Sequence, residues 1–216
     1  AVESGSERIR RIINKKLDTA DIAQAAINAK AGGLSSMKLY GMVGIPGETP
    51  DDVAQTVEMM KTIKKAAPGL RLTLGCSTFV PKAHTPFQWH GVNQDSDKRL
   101  KYLQKHLRSQ GIDFRPESYK WSVIQALISR GDRRLSALLE RVRHYGDSLG
   151  SYRRAFKDFK GNIPDLDSYV HQDWSLDAVL PWSHLQGPLP PSTLIKHRAD
   201  AMEHVSQLHV SQQPIS

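Results

Sequence analysis

The stretch KLYGMVGIPGETPDDVAQTVEMM, residues 38–60, decides the fold class of this chain. Its apolar first part is typical of a buried strand, and the glycine–proline–glycine turn ends that strand. Thr49 is a good N-cap, Pro50 suits the first helical position, and Asp51 and Asp52 complement the positive end of a helix dipole. The stretch therefore predicts a strand, a tight turn and a capped helix in direct succession.

The neighbouring segments continue this alternation. Apolar residues recur at helical spacing in residues 6–16, and Thr19 is a candidate cap for a second helix that Gly32–Gly33 would end. LRLTLGCSTFV, residues 70–80, predicts another strand. Because alternating helices and strands are typical of a parallel sheet, the first part is predicted to be α/β. Helical patterns dominate from residue 96 onward.

Composition excludes several classes of protein. The chain has no run of about 18 apolar residues, so we expect no membrane span and no membrane partner. The first residues lack the apolar middle of a signal peptide. A single cysteine, Cys76, excludes an intrachain disulfide framework and favours a reducing, cytoplasmic location. The chain begins with Ala1 instead of Met, so we expect a processed product or a fragment.

The basic charge is concentrated in one segment. Residues 97–160 hold 16 Lys and Arg against 7 Asp and Glu, a net charge of +9, whereas the whole chain carries +8. Such a segment is a candidate for nucleic-acid binding, since cations attract phosphates without reading sequence. The alternative is a set of ordinary solvated helix faces.

Several familiar sites find little support in the residues. The glycine turn could cradle a phosphate, but it lacks the Lys-Ser/Thr ending of a P-loop and the GxGxxG of a dinucleotide fold. The nine histidines form no HxxxH or HExxH pair, so no metal site is predicted. Cys76 has apolar neighbours and is interpreted as a core residue of a strand. Ser6 lacks the GxSxG context of a hydrolase nucleophile.

The loop STFVPKAHTPFQW, residues 77–89, concentrates aromatic and apolar side chains. Either the loop folds back over a core, or it forms a lid over a ligand at the end of the preceding strand.

Three segments together resemble a known family: AVESGSERIRRIINKKL (1–17), KLYGMVGIPGETPDDV (38–53) and STFVPKAHTPFQW (77–89). In this order and spacing they resemble the second half of the radical S-adenosylmethionine (SAM) core domain. They are similar to the branch whose relatives often carry an N-terminal cobalamin-binding domain. The later LISRGDRRL and VLPWSHLQGPL are similar to the extension that follows the barrel in one uncharacterised subgroup.

The resemblance implies an α/β fold: a partial (βα) barrel of the radical SAM type with only its last strands present, followed by a mainly α-helical extension. AVES would end the fourth strand, and residues 38–45 and 71–80 would form the fifth and sixth. The implied domains are residues 1–95, the C-terminal half of the barrel; 96–160, a basic helical extension; and 161–216, a Pro- and Trp-containing segment with a short helix.

The resemblance also implies SAM as a cofactor. Glu3 stands where the family bonds the SAM ribose, and a carboxylate can accept both hydroxyls. Lys15 stands where relatives hold the SAM carboxylate with a basic residue. The glycine turn would admit the nucleoside, and apolar residues would line the adenine pocket. The candidate SAM-binding residues are Glu3, Ser4, Lys15, Met42, Gly44, Phe79 and Val80. An exposed Glu, a solvated Lys and ordinary core packing are the alternatives.

The family binds a 4Fe–4S cluster with CxxxCxxC, and one cysteine cannot do so. The expected partner is therefore a missing N-terminal half of the barrel that holds the cluster, and this chain alone is expected to be inactive. Cobalamin is a further implied cofactor, in a domain that would precede residue 1. No residue of the chain is assigned as a metal ligand or as a catalytic acid or base.

The predicted function is part of a radical SAM enzyme that reductively cleaves SAM and acts on an unidentified small-molecule or macromolecular substrate. One alternative is a non-catalytic RNA- or protein-binding module built on a degenerate barrel half. Another is an α/β enzyme with a phosphate-bearing substrate at the Gly44–Thr49 turn.

Overall fold

The structure is a computed structural model that describes residues 1–210, with side chains described through Glu203 and at Val205. Three strands and nine helices follow one another in these residues. They are α1 (Glu7–Ile12), α2 (Thr19–Ala31), β1 (Ser36–Val43), α3 (Pro50–Ala66), β2 (Arg71–Thr78), α4 (Ser96–Arg108), β3 (Asp113–Pro116), α5 (Tyr119–Arg130), α6 (Leu135–Tyr145), α7 (Leu149–Asp158), α8 (Leu166–Val170) and α9 (Pro191–Val210).

The chain divides into two compact units that interleave along the sequence. Among the described residues, the first comprises residues 1–79, 95–117 and 197–210, and the second comprises residues 80–94 and 118–196. The predicted domain boundaries at residues 95 and 160 stay predictions. The basic segment 97–160 contributes to both units, so its charge belongs to two separate bodies.

A parallel three-stranded sheet organises the first unit, in the order β1-β2-β3. Leu39, Leu74 and Phe114 lie in register across it and are buried, and α4 contacts both β1 and β2. The α/β prediction is confirmed, and both predicted strands form. The sequence did not reveal β3, a short strand that pairs with β2 after α4.

Helix ends follow the local chemistry of the sequence. Thr49 caps α3 by accepting a hydrogen bond from the Asp52 amide, and the Asp52 carboxylate accepts one from the Thr49 amide, which completes a capping box. The prediction of Thr49 as a cap is confirmed. The prediction for Thr19 is wrong, because Asp18 caps α2 and Thr19 is its first helical residue. The carboxylate of Asp18 reaches the Asp21 amide at 2.7 Å.

The second unit is mainly helical and has an Arg at its centre. Arg130 is fully buried and donates hydrogen bonds of 2.8 Å to the carbonyls of Tyr169, Val170 and Gln172. Its guanidinium also stacks on Trp174, 4.0 Å from the ring centroid. Burial lowers the pKa of Arg130 to about 10, and the three carbonyls replace water at its two terminal nitrogens.

The aromatic loop 77–89 packs against its surroundings. Trp89 is 3% exposed and lies in an apolar cluster with Leu180, Trp182 and Leu194. Gln88 accepts a 2.6 Å hydrogen bond from the Trp182 indole. These contacts bear out the interpretation that the loop folds back over a core. Among the residues that the structure describes, no helix is both long enough and apolar enough to cross a bilayer.

Candidate functional site

The first residues of the chain form an extended segment beside β1. The amides of Val2 and Glu3 both donate to the Tyr40 carbonyl, at 2.9 and 3.0 Å, and the Glu3 carbonyl accepts from the Met42 amide at 2.7 Å. Glu3 pairs in parallel with Gly41, whose missing side chain lets the backbone approach, since a Cβ there would lie 3.1 Å from the Glu3 carbonyl oxygen. Glu3 therefore lies near the carboxyl end of β1.

The backbone of Glu3 is in a conformation that non-glycine residues rarely adopt. Its φ is +64°, in the left-handed region. That region is unfavourable for a residue with a Cβ by about 1–2 kcal/mol. Strained residues of this kind cluster at functional sites, where surrounding contacts hold them in place. Two backbone hydrogen bonds to β1 hold the main chain of Glu3 in this conformation.

Lys15 and Glu3, 12 residues apart in sequence, come together in space. The Lys15 ammonium lies 3.5 Å from Oε1 of Glu3, and the two side chains remain 36% and 22% exposed. The structure therefore places side by side the residues that the resemblance assigns to the carboxylate and the ribose of SAM. Both side chains reach solvent, so both remain available to a ligand.

Arg10 positions the turn that carries Lys15. Its side chain is buried and donates to the carbonyl of Ser4 at 2.7 Å, the carbonyl of Leu17 at 2.7 Å and the hydroxyl of Thr19 at 2.9 Å. Its own carbonyl accepts from the Lys15 amide at 2.7 Å. Burial lowers the pKa of Arg10, while Glu7 and Asp18 oppose the shift. Sequence reasoning missed Arg10, since it stands among several exposed cations.

A second network fixes the start of α3 to the N-terminal segment. The buried Asp52 carboxylate accepts hydrogen bonds from Ser6 Oγ at 2.6 Å, from Arg8 Nε at 3.1 Å, and also from Arg8 Nη2. Burial alone would raise the pKa of Asp52, but the hydrogen bonds from Arg8, Ser6 and Thr49 lower it below its usual value. Ser6 is thereby a structural residue, and it also caps α1.

Gly5 allows this close approach. A Cβ at Gly5 would lie 2.1 Å from the Thr56 Cα, and the Gly5 amide donates to Thr56 Oγ1 at 3.0 Å. Any side chain at position 5 would push the N-terminal segment off α3.

The glycine turn is closed by its own acidic residue. Gly44 and Gly47 both have a φ of +81°. The Glu48 carboxylate accepts a 2.6 Å hydrogen bond from the Gly44 amide and another of 2.6 Å from Arg99. Burial raises the pKa of Glu48, and these two partners oppose the shift. Because the Gly44 amide already donates to the Glu48 carboxylate, the turn is poorly suited to binding a phosphate.

The remaining candidate residues lie in different surroundings. Ser4 is buried, and its hydroxyl accepts from the Ser6 amide at 3.2 Å. Met42 is half-buried, one residue after Gly41 on β1. The Phe79 amide donates to the Val43 carbonyl at 2.8 Å, which brings Phe79 beside the glycine turn. Val80 belongs to the second unit and packs in an apolar cluster there.

One face of the sheet has little cover. Tyr40 on β1 is 52% exposed, and its ring lies against Gly75 of β2, where a Cβ would be 3.3 Å from the ring. The Lys38 ammonium lies 4.8 Å from the centroid of the same ring. Because parallel sheets are normally covered on both faces, an open face carrying Tyr40 and Met42 is unusual.

Cys76 does not have the character of a metal ligand. It is 3% exposed on β2, and burial raises the pKa of its thiol, with smaller contributions from Glu48 and Glu117. Its interpretation as a core residue is confirmed. Within residues 1–210, as far as the structure describes them, no group of three His, Cys, Asp or Glu could hold a metal ion.

Two comparisons with known proteins found similarity to part of the chain. An uncharacterized protein of Methanocaldococcus jannaschii is 36% identical over 140 residues, which are 65% of this chain and 31% of that protein. The chain thus matches less than a third of its relative's length. No solved structure matches the chain significantly. Residues 1–60, which include Glu3, Lys15, Gly44 and Asp52, match the model of the Radical SAM superfamily.

Proposed function

We propose that this chain is part of a radical SAM enzyme and that it binds SAM at the carboxyl end of its sheet. The observation that carries the proposal is the pair of Glu3 and Lys15, held 3.5 Å apart at the end of an extended segment beside β1. The match of residues 1–60 to the superfamily model supports the family, and the partly exposed pair of Glu3 and Lys15 supports the location.

The chemistry of these residues fits SAM. Glu3 can accept hydrogen bonds from the two ribose hydroxyls, and Lys15 can donate to the carboxylate of the methionine part. In the absence of a ligand the two side chains neutralise each other, and each would exchange its partner for a group of SAM. Met42 and Phe79 offer half-buried apolar surface for adenine. When bound, SAM reduced by a 4Fe–4S cluster supplies a 5′-deoxyadenosyl radical for hydrogen abstraction.

The two buried networks keep this site rigid. Arg10 ties the turn before Lys15 to the segment that carries Glu3, and Asp52 ties the same segment to α3. Positioning by such contacts reduces the entropy lost when a ligand binds. Arg10 and Asp52 are positioning residues in this proposal, because neither side chain needs to touch SAM.

The residues present do not fit an iron–sulfur cluster. Cys76 is the one cysteine of the chain, and its buried thiol is hard to ionise. The proposal therefore assigns the cluster ligands to a further part of the protein, which would also cover the open face of the sheet beside Tyr40. That further part is the partner we propose, and a cobalamin-binding domain belongs to the same proposal. The proposal assigns no substrate.

A binding module for RNA is the second candidate, and the net charge of +9 in residues 97–160 is the observation in its favour. Residues 97–117 of that segment belong to the first unit and residues 118–160 to the second. A steep loss of RNA affinity with added salt would support this candidate. The phosphate-binding alternative is disfavoured by the contact between Glu48 and Gly44.

The test is SAM binding by the complete protein, measured by equilibrium dialysis under anaerobic conditions. We expect Glu3→Ala to weaken SAM binding at least tenfold, since one charge-assisted hydrogen bond contributes about 1.5 kcal/mol or more. Glu58→Ala is the matched control, because Glu58 is an exposed acid on α3. Equal affinity of the Glu3 variant and the wild type would exclude this site.

A further inference from the structure

The second unit contains a cavity that the proposed function does not use. Its volume is about 550 Å³, and α5, α7 and the turn before α8 form its walls. That volume lies within the range of roughly 300–1,000 Å³ that is usual for small-molecule sites. Apolar and aromatic side chains dominate the lining, among them Tyr119, Val123, Tyr152, Phe156, Phe159 and Ile163.

Helix α7 supplies one wall because its apolar residues share a face. Leu149, Tyr152 and Phe156 are spaced by three and four residues, which places them on one side of the helix. All three are half-buried. Tyr152 and Phe156 also pack against buried residues of the second unit, and this packing holds the wall of the cavity in place.

The rim of the cavity is basic. Lys120, Arg153, Lys157 and Lys160 line it, all four are exposed, and none forms an ion pair with a residue that the structure describes. Asp165 is the one acid among the described lining residues. Its carboxylate accepts from the Ser168 amide at 2.8 Å, so it is engaged in capping α8.

We propose that this cavity binds a single-chain anionic amphiphile, with an alkyl chain inside and a carboxylate head at the basic rim. The apolar lining matches an alkyl chain, and four cations against the single carboxylate of Asp165 match a negative head group. A nucleobase fits less well, because its polar edge would enter a lining with few donors and acceptors and would lose its hydrogen bonds to water. The proposal is independent of SAM binding.

The first test is a series of alkyl carboxylates from hexanoate to dodecanoate, titrated into the full chain below their micelle concentrations and followed by calorimetry. Burial of one methylene contributes about 0.8 kcal/mol, so we expect affinity to rise about fourfold per added methylene. Dodecanol, which lacks the charge, is expected to bind about tenfold more weakly than dodecanoate. Affinity that does not depend on chain length would overturn the proposal.

The second test reverses the charge of the rim. We expect Arg153→Glu combined with Lys157→Glu to weaken dodecanoate binding at least tenfold. Arg141→Glu combined with Arg143→Glu is the matched control on the neighbouring helix, since both residues are exposed and neither lines the cavity. The control should keep its affinity within twofold.

Two further results would contradict the proposal. Equal losses in the rim pair and the control pair would show a general charge effect and no site at the cavity. Displacement of dodecanoate by a single-stranded oligonucleotide, with an affinity that falls steeply with salt, would assign the cavity to nucleic acid instead. Tryptophan fluorescence verifies folding of each variant, since Trp121 packs edge-on against Tyr152 beside the cavity.

Discussion

Asp52 is the residue through which the N-terminal segment and α3 are joined, and its neutralisation gives the most specific prediction. Five hydrogen bonds reach its carboxylate, from Ser6, from two nitrogens of Arg8, and from the amide and hydroxyl of Thr49. In Asp52→Asn one oxygen becomes an NH2 group that faces donors. Arg8, whose side chain is only 18% exposed, then loses its counter-ion.

The expected loss of stability is about 3 kcal/mol, the lower end of the roughly 3–5 kcal/mol found when one partner of a buried ion pair is removed. Asp51→Asn is the matched control, because Asp51 is the exposed neighbour on the same turn and its carboxylate accepts a hydrogen bond from Gln55. Its expected change is below about 0.5 kcal/mol.

The assay is native-state hydrogen exchange of amides in α3. All four tryptophans lie in the second unit, so their fluorescence does not report on this network. We expect Asp52→Asn to raise the exchange of α3 amides roughly a hundredfold at pH 7, which corresponds to about 3 kcal/mol. Similar exchange in the Asp52 and Asp51 variants would refute the reasoning.

The pH dependence provides a second check on the same network. The folded-state pKa of Asp52 lies below its usual value, so its stabilisation is complete above the usual Asp pKa of about 3.9. The stabilisation is lost as the pH falls from there through the folded-state pKa. The difference between wild type and Asp52→Asn should therefore shrink only below about pH 4. A difference that already vanishes near pH 6 would contradict the hydrogen-bond network.

Three further substitutions test other parts of the account. Arg99→Ala leaves the buried Glu48 carboxylate without its cation and should lower the free energy of unfolding of the first unit by about 3 kcal/mol in urea unfolding. Lys98→Ala, at an exposed neighbour, should lower it by less than about 0.5 kcal/mol. Gly5→Ala drives a methyl group into the backbone of α3 and should lower the melting temperature by more than about 5 °C, whereas Gly150→Ala should leave it unchanged or raise it. Glu3→Gly should be about 1 kcal/mol more stable than Glu3→Ala, because only glycine relieves the positive φ, while both variants lose SAM affinity equally.

The parts of the fold that depend on local chemistry could be predicted from the sequence. Thr49, Pro50 and the glycine turn define the junction of β1 and α3, because caps and turns need particular residues at fixed offsets. β3 could not be predicted because it has four residues and Phe114 is the one that is buried, which leaves no alternating pattern. Pro116 ends the strand. The interleaving of the two units depends on packing between distant segments, which leaves no local signal.

The candidate site, too, could be predicted only in part, because its contacts depend on the tertiary fold. The resemblance to a family suggested Glu3 and Lys15, and their proximity is a tertiary fact that no spacing rule supplies. Arg10 could not be distinguished from its exposed neighbours, because its partners are a hydroxyl and two backbone carbonyls that the fold brings to it. The resemblance implies Phe79 and Val80 together as lining of the adenine pocket, yet the two residues belong to different units.

Hydrogen exchange of the complete protein with and without SAM tests the central claim most directly. If SAM binds between Glu3 and Lys15, the amides of residues 2–17 and 41–49 should exchange more slowly in its presence, and Glu3→Ala should abolish that protection. Protection confined to residues 118–196, or SAM binding without any protection of residues 2–17, would contradict the proposed site.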